Sequence, residues 1–122
     1  MKRLPTLSLA AALAAATLAS PLACAHAALK GSQPAANAVL EQAPRDIQLT
    51  FNEKVEPAFS SIALRDGGGK DVAAGKVQVD AANPLLLKLD LPAPSAGDYS
   101  VRWVAVGPDG HRRTGQFGFT VK

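Results

Sequence analysis

The chain reads as an all-β protein, a Greek-key β-sandwich of about seven strands. Three observations predict this. Apolar and polar residues alternate in several short runs, the period of a strand with one buried face. Clusters of Gly, Pro, Asn and Asp recur between those runs. Beyond the first 25 residues, no stretch carries the 3.6-residue periodicity of an amphipathic helix.

In chain order, the first segment is a targeting label. Lys2 and Arg3 precede an uncharged, alanine-rich run from Leu7 to Leu18, and Pro21 breaks it before Ala23-Cys24-Ala25. Residues 1–25 read as a Sec signal peptide, too short to span a bilayer. Two other readings compete: an uncleaved N-terminal anchor, and a lipoprotein site on Cys24. Leu22-Ala23-Cys24 approaches a lipobox, but Pro21 stands where that motif wants an aliphatic residue. Cleavage after Ala25 makes His26 the first mature residue, and the domain is expected to comprise residues 26–122 in the periplasm. Loss of Lys2 and Arg3 leaves 11 Lys and Arg against 10 Asp and Glu. So nearly neutral a domain gives no warrant for nucleic-acid binding. The single cysteine and the single methionine also leave with the label. The exported domain then has neither disulfide nor thioether and must hold together by packing.

The strands follow. Ala27 to Gly31 leads to Pro34 and a polar stretch ending at Pro44. Ile47, Leu49 and Phe51 alternate with Gln48, Thr50 and Asn52. Pro57 marks a bend or an edge. Ile62 and Leu64 form the next alternation, and Gly67-Gly68-Gly69 is a turn. Val77 and Val79 mark a short strand. Leu85, Leu87, Leu89 and Leu91 share one face of another, which Pro92 and Pro94 end. Tyr99, Val101, Trp103 and Ala105 share one face, and Ser100, Arg102, Val104 and Val106 the other. Phe117, Phe119 and Val121 alternate in the last strand. The expected core is Ile47, Leu49, Phe51, Leu87, Leu89, Trp103, Phe117 and Phe119. These strands bring the two ends of the domain into one body.

The candidate chemistry lies at those ends. The chain has two histidines, His26 and His111. At a mature N-terminus, His26 offers both an α-amine and an imidazole. Asp109 and His111 are two apart and share one side of an extended strand if His111 begins one. Together these form a nitrogen and oxygen donor set suited to copper(II). Pro108-Asp109-Gly110 is also a turn signal by itself, in which Asp109 serves the turn and His111 is a solvated neighbour. Glu53 ends an alternating strand, and Arg112 and Arg113 follow the turn, either solvated or facing an acidic partner.

Several of these residues carry a family resemblance. Tyr99-Ser100-Val101-Arg102-Trp103, then Asp109-Gly110-His111, then Gly115-Gln116-Phe117-Gly118-Phe119 resembles the C-terminal signature of the CopC family, periplasmic copper-resistance proteins. Ile47-Gln48-Leu49-Thr50-Phe51-Asn52-Glu53 is similar to that family's central strand, which usually ends in Phe-Ser-Glu. His26 matches at the mature terminus, and the resemblance spans residues 26–122. It implies an immunoglobulin-like or cupredoxin-like sandwich. It also implies copper(II) bound by His26, Asp109 and His111, with Glu53 as an outer-shell partner or weak ligand. An inner-membrane copper transporter of the CopD kind is the implied partner.

The chemistry of the residues agrees. The α-amine and Nδ1 of His26 would close a six-membered chelate ring, with the His111 imidazole and the Asp109 carboxylate completing a tetragonal set. Copper(I) prefers sulfur donors, and the methionine-rich motifs of some members are missing here. The expected function is therefore sequestration or handover of copper(II) by a monomeric, non-enzymatic protein. The other class considered is a histidine-brace copper enzyme resembling a lytic polysaccharide monooxygenase. The short domain, the inward pattern of Tyr99 and Trp103, and the anionic Asp109 weigh against it.

Overall fold

The computed structural model describes residues 27–122, so the signal-peptide reading and His26 lie outside the described residues. Nine strands form two sheets: β1 (Leu29–Gln33), β2 (Val39–Leu40), β3 (Asp46–Phe51), β4 (Ser61–Asp66), β5 (Asp71–Gly75), β6 (Gln78–Asp80), β7 (Asn83–Asp90), β8 (Gly97–Val106) and β9 (Arg112–Val121). One sheet has the order β1-β3-β7-β6 and the other β2-β9-β8-β4-β5. The Greek-key sandwich is therefore as expected. The strand count is higher, because β2 and β5 were not anticipated.

Strict alternation builds the interior. Ile47, Leu49 and Phe51 of β3 are buried, with Leu87 and Leu89 of β7 beside them. Ile62 and Leu64 of β4 and Tyr99, Val101, Trp103 and Ala105 of β8 are buried in the other sheet. Phe51 and Trp103 meet across the two sheets edge-to-face, with centroids 5.4 Å apart, a favoured aromatic geometry. Tyr99 stacks on its cross-strand neighbour Phe119, and its hydroxyl donates to the Ser95 carbonyl at 2.6 Å.

Two side chains depart from the alternation expected of them. Phe117 is only half-buried against the core. Val106, placed by parity on the outer face, is buried. For Val106 the reason is the 52–60 connection, which crosses from one sheet to the other and is pinned to the end of β8. Glu56 N–H donates to the Val106 carbonyl at 2.8 Å. Buried Ser60 accepts from Val106 N–H at 3.1 Å and donates to the Glu56 carbonyl at 2.7 Å. Within this connection, Pro57–Phe59 forms a single 3-10 turn. The pinning carries Glu53 to the end of the sandwich where β8 runs into its turn.

Candidate metal centre

Antiparallel pairing of β8 with β9 runs from Gly97–Val121 to Val106–Arg112, leaving residues 107–111 as the connection. Gly110 N–H donates to the Gly107 carbonyl at 3.0 Å, and Gly107 N–H to the His111 carbonyl at 3.3 Å. Gly110 has φ of +83°, a conformation in which a side chain is strained.

Asp109 and His111 come together here by turn chemistry. His111 lies before β9, so the shared face of an extended strand is not what joins them. Instead, one Asp109 carboxylate oxygen accepts the His111 backbone N–H at 3.0 Å, while the other lies 2.9 Å from His111 Nδ1. An aspartate that bonds the backbone two residues on is a standard turn device. Here the second oxygen also fixes the imidazole. When Nδ1 carries the proton it donates to Asp109, which leaves Nε2 as the acceptor nitrogen on the far side of the ring. His111 is well exposed and Asp109 about one-third exposed.

Gly107 marks the meeting point of the other expected residues. A β-carbon built on it would lie 2.9 Å from Glu53 Oε1, 3.4 Å from Asp109 Oδ1 and 3.8 Å from the Ala27 β-carbon. Two carboxylates and the first described residue thus converge on one buried glycine. Ala27 is 1% exposed. The neighbouring Ala28 is clamped by Asn52: its N–H donates to Asn52 Oδ1 at 2.7 Å, and its carbonyl accepts from Asn52 N–H at 3.0 Å.

The fold thus joins Asp109 to His111 and sets Glu53, Asp109 and Ala27 around Gly107. Among the described residues, no three of His, Cys, Asp and Glu are grouped closely enough to hold a metal ion alone. Gly107 and Asn52 were missed as contributors. The only sequence signal for Gly107 was a glycine outside the turn triplet, and for Asn52 a polar residue at a strand end.

A model of the CopC domain matches residues 29–122. Protein YobA of Escherichia coli K12 is 34% identical over 120 residues, covering 96% of this chain and 95% of that protein. Copper transport protein CutJ of Bacillus subtilis is 32% identical over 98 residues, 80% of this chain but 18% of that larger protein. Among solved structures, CopC from Methylosinus trichosporium OB3b superposes with a TM-score of 0.75 at 35% identity, covering 80% of this chain and 94% of that one. PcoC from Escherichia coli, described as a methionine-rich copper resistance protein, gives 0.71 at 38% identity, covering 80% and 100%. Matched across nearly all of its described residues in sequence and in fold, the chain belongs to the CopC domain family.

Proposed function

We propose that this protein is exported by a signal peptide spanning residues 1–25 and binds copper(II) in the periplasm through His26, Asp109 and His111. It acts in copper resistance or homeostasis as a monomeric binding protein, not an enzyme. It sequesters the ion or hands it to an inner-membrane transporter of the CopD kind. The observation that carries this reading is the convergence on Gly107, where the Asp109 and Glu53 carboxylates meet the residue that follows His26.

The donor set supports copper(II) in particular. Imidazole, amine and carboxylate suit its tetragonal preference, whereas copper(I) prefers thiolate and thioether. The chain has one methionine and one cysteine, both within the first 25 residues. In this it departs from the methionine-rich PcoC. The names of the relatives support copper as cargo, and the small share of CutJ that is matched suggests a domain of this type working beside a transporter.

Asp109 has two tasks in this reading. Its oxygens order the connection, and they set the imidazole so that one ring nitrogen is directed away from the turn. Such a partner fixes ring orientation and raises ligand basicity. Protons compete with the metal for amine and imidazole nitrogens, so affinity falls on acidification.

The test is a copper(II) competition titration of two proteins, one beginning at His26 and one with a single alanine before it. The added residue turns the α-amine into an amide nitrogen, whose lone pair is held in resonance. The extended protein is expected to bind far more weakly while unfolding at the same midpoint without copper. Equal affinity of the two forms would remove the amine from the donor set.

A further inference from the structure

Gly107 is buried, and its φ is not positive. Its backbone would therefore accept any ordinary residue, and conformational freedom does not explain the glycine. The space does. A β-carbon would fall within 2.9 Å of Glu53 Oε1, closer than a carbon and a carboxylate oxygen approach without overlap. The Glu53 carboxylate occupies the room that a side chain at position 107 would fill.

We infer that Gly107 is a positioning residue for the metal centre: its missing side chain seats the Glu53 carboxylate beside Asp109. This rests on the copper(II) reading. Amine and imidazole donors are neutral, so with Asp109 alone the bound ion keeps a net charge of one. A second carboxylate at the rim cancels that charge and favours copper(II) over copper(I). Glu53 reaches the site from the connection pinned by Ser60, and its carboxylate ends a flexible side chain. A methyl group at position 107 would displace that end and leave the fold in place. The Asp109 oxygen at 3.4 Å needs at most a small adjustment.

The experiment compares wild type, Gly107→Ala, Glu53→Gln and the double variant, each beginning at His26. Copper(II) affinity is read by competition titration, and the site by its electron paramagnetic resonance spectrum. Outer-shell partners typically change metal affinity by about 10–100-fold. Gly107→Ala and Glu53→Gln are expected to weaken binding by a similar factor near the lower end of that range and to shift the spectrum alike. The double variant should be no weaker than the weaker single, the non-additivity of residues acting through one contact. Wild-type affinity and spectrum in Gly107→Ala, or additive losses in the double variant, would overturn the inference.

A metal-free measurement separates this idea from the function it rests on. Nuclear Overhauser contacts between the Glu53 γ-protons and the Gly107 α-protons should appear in the apo-protein. Their absence overturns the seating of Glu53. Their presence in a protein that fails to bind copper would leave the seating intact and defeat the copper reading alone.

Discussion

Gly107 and Gly115 lie at opposite ends of a contrast. A β-carbon on either would overlap a neighbour, yet the neighbours differ in kind. Gly115 pairs with Trp103 across β8 and β9, and its added carbon would fall 2.5–2.8 Å from three atoms of the indole. That ring is 8% exposed and packed edge-to-face on Phe51, so it can shift only by disturbing the core. At Gly107 the nearest atom is the tip of a half-buried glutamate in a connecting loop. One absent side chain serves packing, the other, in the reading proposed above, serves the site. Steric overlap alone therefore does not tell what a glycine is for. The freedom of the atom it would strike does.

The sharpest way to break this contrast is to remove the indole. Trp103→Ala is expected to cost about 3–5 kcal/mol, as for other large core truncations, read as a lower denaturant midpoint of the apo-protein. In that background Gly115→Ala should cost almost nothing, since its obstacle is gone. In the wild-type background Gly115→Ala forces the ring or β9 to shift and should cost about 1–3 kcal/mol. Its copper affinity should be unchanged, the reverse of the pattern expected for Gly107→Ala.

Ser60→Ala probes the tie between the two regions. It leaves the Val106 N–H without its 3.1 Å acceptor in a buried place, a loss of about 1–3 kcal/mol. It should also weaken copper binding, because the loop bearing Glu53 loses its fixing point. Unchanged affinity would show that the loop holds Glu53 without this tie. The smallest expected effect on stability is that of His111→Ala. An exposed side chain changes stability by within about 0.5 kcal/mol, while copper should no longer raise the unfolding midpoint. In the wild type it should do so by mass action, about 2.7 kcal/mol at a free copper concentration of 100 Kd.

Much of this was legible in the sequence, and for a definable reason. β3, β4 and β8 each bury one face along most of their length, and β9 does so at its end, through Phe119 and Val121, so their alternation is written in consecutive residues. β1 and β5 are edge strands with mostly exposed or half-exposed side chains. Their existence is decided by the unpaired edges of β3 and β4, not by their own pattern. β2 is two residues long, lying parallel to β9, too short for any periodicity. At the site, the neighbours Asp109 and His111 could be read as a pair, though turn bonding joins them where strand parity was expected. Glu53 and Gly107 are far apart in the chain, and no local pattern announces their meeting. It follows from the path of the 52–60 connection across the sandwich.

The Asn52 clamp has a consequence in effective concentration. Asn52 holds both the N–H and the carbonyl of Ala28, and Ala27 is sunk against Gly107. Consecutive α-carbons are about 3.8 Å apart, so the ligand group proposed on residue 26 would be tethered one link from a fixed point. In an unfolded chain, bringing residue 26 to residue 111 would mean closing a long loop against its entropy. Here folding has already met that cost, and in the proposed copper(II) reading metal capture by the two ends would be a local event. Asn52→Ala would lengthen the free tether without touching any proposed donor. Copper should then dissociate faster, with the donor set itself unaltered.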